Sequence, residues 1–180
     1  LSCNGIIDVP AEYPTIQAGL DAASDGDTVL VDQGVYYENL IITKNIILTS
    51  NAIYDDLSAW VEFSGQYELA NENIANTIIN GSYDIHGENL QSTILINSPT
   101  EECINPIIFG FTITGGDGTN ADIGDIFGEV IEEDKKFGGG IMSNNALPSI
   151  NYNYIIQNGN NTDYPIDYGG AININSYMII

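Results

Sequence analysis

The sequence contains no arginine and only three lysines, Lys44, Lys135 and Lys136, against 25 acidic side chains. The formal net charge is therefore −22 at pH 7. A surface of this charge repels phosphate backbones and anionic lipid heads. The composition thus argues against nucleic-acid binding and against membrane docking through basic residues, and leaves cations and neutral molecules as partners.

Residues that build metal or redox sites are also scarce. His86 is the one histidine, and without a second histidine or a nearby cysteine it supports neither a zinc site nor a catalytic triad. Cys3 and Cys103 lie a hundred residues apart, which is neither zinc-ligand nor thioredoxin spacing. Two readings stay open for them: a disulfide that ties the N-terminal segment to the body, or two inert buried thiols.

Long apolar runs are absent as well. No run approaches the roughly 18 residues that a membrane-spanning helix requires, so we expect no membrane insertion. The chain starts at Leu1 without a methionine or a charged-then-apolar leader. We expect the mature form of a processed protein or an excised segment, and an extracellular location, secreted or at the cell surface. The length and the 43% apolar content predict a single domain over 1–180.

What the sequence does contain is β-branched residues in short runs, separated by Gly, Asn, Asp and Ser. This pattern predicts an all-β chain. Residues 14–24 are the exception, because Ile16, Leu20 and Ala23 follow the i, i+4, i+7 spacing of an amphipathic helix and Gly26 follows its end.

Two internal repeats indicate how the strands are arranged. Residues 138–144 match residues 169–175 at an offset of 31, and residues 108–113 match 150–155 at an offset of 42. Similar strands at unequal offsets are typical of a solenoid with insertions between its layers. We expect apolar ladders inside, and Asn153 and Asn158 at bends where their amides bridge consecutive layers; ordinary exposed loop asparagines are the alternative.

Four stretches near the start of the chain carry a family resemblance. They are Tyr13-Pro14-Thr15-Ile16-Gln17, Gly26-Asp27-Thr28-Val29-Leu30-Val31, Gly34-Val35-Tyr36-Tyr37-Glu38-Asn39 and Lys44-Asn45-Ile46-Ile47-Leu48. In this order they resemble the opening of right-handed parallel β-helices of the pectate-lyase-like superfamily. The later Gly-Gly-Gly-Ile and Gly-Gly-Ala-Ile runs are similar to repeats of bacterial surface β-helices. The resemblance implies a short helix that closes the N-terminal end, within a cap over 1–27.

Catalysis is not supported by the motifs of that superfamily. Its lyases use basic side chains and bind acidic sugars with arginine, lysine and calcium, and its methylesterases pair aspartates with an arginine. Asn161-Thr162-Asp163 is similar to one polygalacturonase motif, but the accompanying paired aspartates, Gly-His-Gly and Arg-x-Lys are missing. We therefore assign no catalytic residue, and fold resemblance alone does not choose a function.

Two insertions are predicted, near 52–75 and 117–137. The first carries Tyr54, Trp60 and Tyr67, which are candidates for stacking on sugar rings or for packing the loop onto the body. The second carries Asp117, Asp122 and Asp125, a candidate calcium site because closely spaced oxygen donors suit this ion. An acidic solvated loop is the alternative reading. Calcium is the one cofactor that the composition favours.

The last residues are strand-like and apolar, with no visible cap. The candidate assembly edge comprises Ile172, Ile174, Tyr177, Met178, Ile179 and Ile180. Either the chain is a piece of a longer β-helix or another molecule completes this edge. We expect a structural, surface or filament-forming subunit that associates head-to-tail with itself. The alternatives are a polysaccharide lyase or glycoside hydrolase, and a calcium-assisted adhesin that binds a glycan.

Overall fold

A computed structural model of the protein describes residues 4–82, 91–99, 103–120, 136–159 and 169–175. Short β-strands dominate these residues. They are β1 (Ile6–Val9), β2 (Thr28–Val31), β3 (Gly34–Tyr36), β4 (Leu40–Ile42), β5 (Ile47–Ser50), β6 (Val61–Phe63), β7 (Tyr67–Leu69), β8 (Thr77–Asn80), β9 (Ile94–Asn97), β10 (Ile107–Phe109), β11 (Thr112–Thr114), β12 (Thr119–Asn120), β13 (Lys136–Phe137), β14 (Ile141–Asn144), β15 (Ser149–Asn151), β16 (Tyr154–Ile155) and β17 (Ile172–Asn175). The helices are α1 (Ile16–Ala22), a 3-10 helix (Asn51–Tyr54) and α2 (Glu72–Asn76).

Three parallel sheets form the body of the described structure. Sheet A has the order β1-β2-β5-β10-β15, sheet B the order β3-β8-β11-β16, and sheet C the order β4-β9-β14-β17. After β1 the chain visits A, B and C in rotation, and each strand pairs with the strand from the previous passage. We call these passages layers 1 to 4: β2-β3-β4, β5-β8-β9, β10-β11-β14 and β15-β16-β17.

The strand register confirms both internal repeats. Ile141 pairs with Ile172, at the offset of 31 predicted from the Gly-Gly runs. Ile108 pairs with Ile150, and Thr112 with Tyr154, both at the predicted offset of 42. Because side chains alternate between the two faces of a strand, this register places matching residues on the same face in successive layers.

The core lies between the sheets and consists of apolar columns that run across the layers. The columns are Val29, Leu48, Ile108 and Ile150 in sheet A, Tyr36, Ile79, Ile113 and Ile155 in sheet B, and Leu40, Ile94, Ile141 and Ile172 in sheet C. The predicted ladders are therefore present.

Asparagine amides fix the bends of layer 4, as predicted. Asn153 Oδ1 accepts from the Phe111 N–H at 3.0 Å, and its Nδ2 donates to the carbonyls of Ile108 and Asn151 at 2.9 and 3.0 Å. Asn158 repeats this pattern five residues later on Gly116, Ile113 and Ile156, at 2.9, 3.0 and 3.2 Å. Each amide thus bonds backbone groups of layer 3 and of its own layer. Without the amide, these groups at the bend would depend on water for hydrogen bonds.

Helix α1 confirms the helix predicted over 14–24. The Thr15 side chain caps it by accepting from the Ala18 N–H at 3.2 Å, and Ile16 and Leu20 are buried. The helix contacts β1, β2 and β4. It therefore lies at the end of the molecule where sheets A and C begin.

The two predicted insertions form elements outside the parallel sheets. The first contains the 3-10 helix, the antiparallel hairpin β6-β7 and α2. The second begins and ends in the antiparallel pair β12-β13; residues 121–135 lie outside the described part. In the residues that the structure describes, no helix is long and apolar enough to cross a membrane.

Candidate functional site

The outer edge of layer 4 is the site that the sequence singles out for assembly. Among the described residues, β15, β16 and β17 each pair with one strand, from layer 3. An outermost strand presents a row of backbone N–H and C=O groups to the solvent, which makes it a template for another strand. Ile172 and Ile174, two residues of the predicted assembly edge, lie in β17. Tyr177, Met178, Ile179 and Ile180 lie outside the described residues, so their part in the edge stays a prediction.

Apolar side chains of layer 4 are more exposed than the side chains at the same positions in layer 3. Ile174 is 50% exposed, whereas the residues at the same register position in layers 3, 2 and 1, Ser143, Ile96 and Ile42, are at most 1% exposed. The inward residues Ile150, Ile155 and Ile172 are also only partly buried, although their layer 3 partners are fully buried. Covering the exposed half of one isoleucine contributes about 1 kcal/mol. Layer 4 therefore carries apolar side chains that a further layer would stabilise.

At the opposite end of the molecule, side chains and turns occupy outer backbone groups of β4 and β1. The Gln17 amide in α1 accepts from the Ile41 N–H at 2.8 Å and donates to the Ile41 carbonyl at 3.2 Å. It thereby takes the place of a neighbouring strand along β4. On β1, the Asp8 N–H donates to Glu12 at 3.3 Å, and the Asp8 carbonyl accepts from the Glu12 and Tyr13 N–H groups.

Two charged side chains hold α1 against layer 1. The Glu38 carboxylate accepts from the Ile16 and Gln17 N–H groups, both at 2.9 Å. Lys44 Nζ donates to the carbonyls of Leu20, Asp21 and Ala23 at 3.2, 2.8 and 2.7 Å. A carboxylate at the start of a helix and an ammonium at its end satisfy unpaired backbone groups and favour the helix dipole. The sequence predicts no role for these two residues, although an isolated lysine soon after a predicted helix is a signal for such a contact.

The candidate sugar-stacking residues fall into separate clusters. Tyr67 is 81% exposed and contacts Phe63 across the hairpin, with ring centroids 4.9 Å apart. Trp60 is half-buried and meets Tyr152 edge-to-face at 5.7 Å, and Tyr152 in turn packs on Phe109 at 5.3 Å. Trp60 therefore anchors the insertion to layers 3 and 4. Tyr54 is 69% exposed.

The candidate calcium and disulfide sites lie largely outside the described residues. Asp117 is half-buried next to β12, while Asp122 and Asp125 are not described. Within the described ranges, no group of three or more His, Cys, Asp or Glu side chains is placed to hold a metal ion. Cys103 is exposed and Cys3 is not described, so a bond between them stays a prediction.

Carboxylates also accept hydrogen bonds within the first insertion and near the N-terminus, and these bonds lower their pKa values. The Asp55 carboxylate accepts from the side-chain amides of Asn71 and Asn73, both at 2.8 Å, and these bonds hold its pKa below the ordinary value. Backbone N–H groups of Gly5 and Ser24 lower the pKa of Asp27 in the same way.

Comparisons with known proteins add no family to this description. No family model, no curated protein and no solved structure matches the chain. The strand order, the register and the contrast between the two ends of the molecule are therefore the grounds for a function.

Proposed function

We propose that the chain is a right-handed parallel β-helix and an extracellular structural module, which associates with further copies through the outer edge of layer 4. The fixed A-B-C rotation with parallel pairing throughout sheets A, B and C supports the β-helix. Right-handedness is supported by the strong preference of parallel crossovers for that hand.

The observation that carries the proposed association is the exposure of Ile174. This side chain lies in an inward column that is buried in layers 1 to 3, and layer 4 leaves half of it in contact with solvent. Association through β15, β16 and β17 would bury it together with Ile172 and pair the outer backbone groups of these strands. The partner edge is either the layer 1 end of another copy, which is the head-to-tail arrangement predicted from the sequence, or a second layer 4 edge.

Sedimentation velocity over a wide concentration range tests the association. We expect the chain to sediment as a species larger than one copy, and Ile174→Asp to shift it to the monomer, because an inward charge on an edge strand opposes pairing. Ile53→Asp is the matched control, since Ile53 is a 41% exposed isoleucine of the 3-10 helix. A monomeric wild-type chain at every concentration would contradict the proposal.

Glycan binding by the hairpin β6-β7 is the second candidate function. The exposed ring pair Phe63 and Tyr67 favours it, because aromatic faces stack on sugar rings. The net charge of −22 points to neutral rather than acidic polysaccharides. Calorimetric titration with neutral polysaccharides tests this function. We expect Tyr67→Ala to abolish binding and Tyr54→Ala to leave it intact, and equal affinity of the wild type and Tyr67→Ala would exclude the hairpin as the site.

A further inference from the structure

We infer that two copies of the chain meet through their layer 4 edges and form a closed two-fold dimer, rather than stacking head-to-tail into a filament. This inference rests on the proposed association through β15, β16 and β17. It specifies the partner surface as a second layer 4 edge.

Hydrogen bonds at the layer 1 end argue against head-to-tail contact. A strand that approached β4 would have to displace the Gln17 amide, which occupies both the N–H and the carbonyl of Ile41. A strand that approached β1 would meet Asp8, whose N–H and carbonyl are already bonded within residues 8–13. A new strand would replace existing hydrogen bonds there, whereas at layer 4 it would add new ones.

The distribution of charge supports the same arrangement. Residues 137–180 contain two charged side chains, Asp163 and Asp167, although the whole chain has a net charge of −22. The described strands of layer 4 contain no charged residue. The layer 1 end, in contrast, exposes Asp8, Glu12 and Asp21.

A contact between two layer 4 edges therefore buries no charge of these strands and keeps the two acidic halves far apart. Head-to-tail contact would instead strip water from the exposed carboxylates of the layer 1 end, which is costly for an ionised group without a partner. Side-by-side contact would bring like charges together.

The strand geometry allows a two-fold contact. A two-fold axis perpendicular to the stacking direction pairs each edge strand with an antiparallel partner, and antiparallel pairing is at least as stable per residue as parallel pairing. The contact is isologous and closes after two copies. The exposed faces of Ile172 and Ile174 from the two chains then meet and continue the inner columns across the dimer.

A mixing experiment separates this arrangement from the head-to-tail one. Ile174→Asp alters the layer 4 edge, and Ile6→Asp alters β1, the outermost strand of sheet A at the other end, where Ile6 is 56% exposed. If the dimer forms through two layer 4 edges, Ile6→Asp sediments as a dimer, Ile174→Asp as a monomer, and their equimolar mixture contains no mixed dimer. We expect Ile174→Asp to weaken dimerisation about ten-fold or more.

Head-to-tail assembly gives different results. Both variants would then self-associate more weakly than the wild type. Their mixture would form a mixed dimer through the intact edge of each variant. The wild type would form assemblies larger than two copies as its concentration rises. These results would overturn the inference and leave the proposed association standing. A wild type that stays monomeric would overturn both. Circular dichroism verifies that each variant is folded. Ile174→Thr keeps the β-branched shape and is expected to weaken the dimer less than Ile174→Asp does.

Discussion

The side-chain amide of Gln17 pairs with the backbone of Ile41 as a neighbouring strand would, accepting at 2.8 Å and donating at 3.2 Å. Exposed strand edges invite pairing with other chains, and natural proteins cover or block them. In this molecule a single glutamine on α1 blocks the first strand of sheet C. The corresponding edge of layer 4 has no such side chain among the described residues.

Replacement of Gln17 tests the value of this contact. Gln17→Leu removes both bonds to Ile41 and the bond to Asp21 at 2.9 Å. We expect the free energy of unfolding to fall by about 1–3 kcal/mol, because each lost hydrogen bond costs about 1 kcal/mol. Urea denaturation measures the change. Gln66→Leu, which removes one exposed bond to Glu68, is the control and is expected to cost less than about 0.5 kcal/mol.

The bend asparagines provide a second test, since Asn153 and Asn158 have matching sets of hydrogen bonds across layers 3 and 4. We expect Asn153→Ala and Asn158→Ala each to lower the unfolding free energy by about 1–3 kcal/mol, because both leave backbone groups of two layers without partners. Asn144→Ala is the control, since Asn144 makes one side-chain bond, to Asn97 at 3.2 Å. Equal losses in all three variants, measured by urea denaturation, would show that bonding to backbone groups is not the source of the effect, because Asn144 also bonds across two layers but only to a side chain.

The pH dependence of stability follows from Asp55. Its pKa is lowered in the folded protein by the amides of Asn71 and Asn73, so the carboxylate stabilises the fold above the unfolded value of about 3.9. That stabilisation is lost as the pH falls through the folded pKa. We expect Asp55→Asn to be less stable than the wild type near pH 7 and the difference to shrink towards pH 3. Melting temperatures across this range measure it. A difference that grows on acidification would contradict the assignment.

Tyr152 provides the ring against which Trp60 packs. Tyr152→Ala removes the ring that Trp60 meets edge-to-face, and we expect the insertion to loosen and stability to fall by about 0.5–1.5 kcal/mol beyond the loss of buried area. Trp60 is the one tryptophan of the chain, so its fluorescence reports the change directly. We expect the emission maximum of the variant to shift to longer wavelength. The control Tyr54→Ala is expected to leave it unchanged, and an unshifted maximum in Tyr152→Ala would contradict the packing role.

Local patterns were enough to predict several elements. The helix at Ile16 and Leu20 follows from apolar spacing, and the registers of Ile141 with Ile172 and Ile108 with Ile150 follow from the internal repeats. The bridging roles of Asn153 and Asn158 follow from the amide group and its place beside a predicted strand. In each case the decisive information lies in one short segment or in the comparison of two similar segments.

Long-range hydrogen bonds could not be predicted in this way. Gln17 and Ile41 are 24 residues apart, and nothing in either neighbourhood shows that the amide lies along an edge strand. Lys44 is likewise brought to the end of α1 by the return of the chain after layer 1. Trp60 in the first insertion and Tyr152 in layer 4 are also far apart in the sequence. The sequence therefore left open whether Trp60 stacks on a sugar or packs the insertion onto the body, and the structure has a packing contact.

The sequence by itself determined the parallel strands, the register of the two internal repeats and the strongly acidic charge, because these depend on repeated side-chain patterns and composition. Only the tertiary structure decided which side chains block the first edge strands, Gln17 on β4 and Glu12 on β1, and that layer 4 leaves Ile174 half exposed. The exposure of a side chain and the pairing of an edge strand depend on which residues lie above or below that strand. Those residues are distant in sequence and are brought there only when the layers stack.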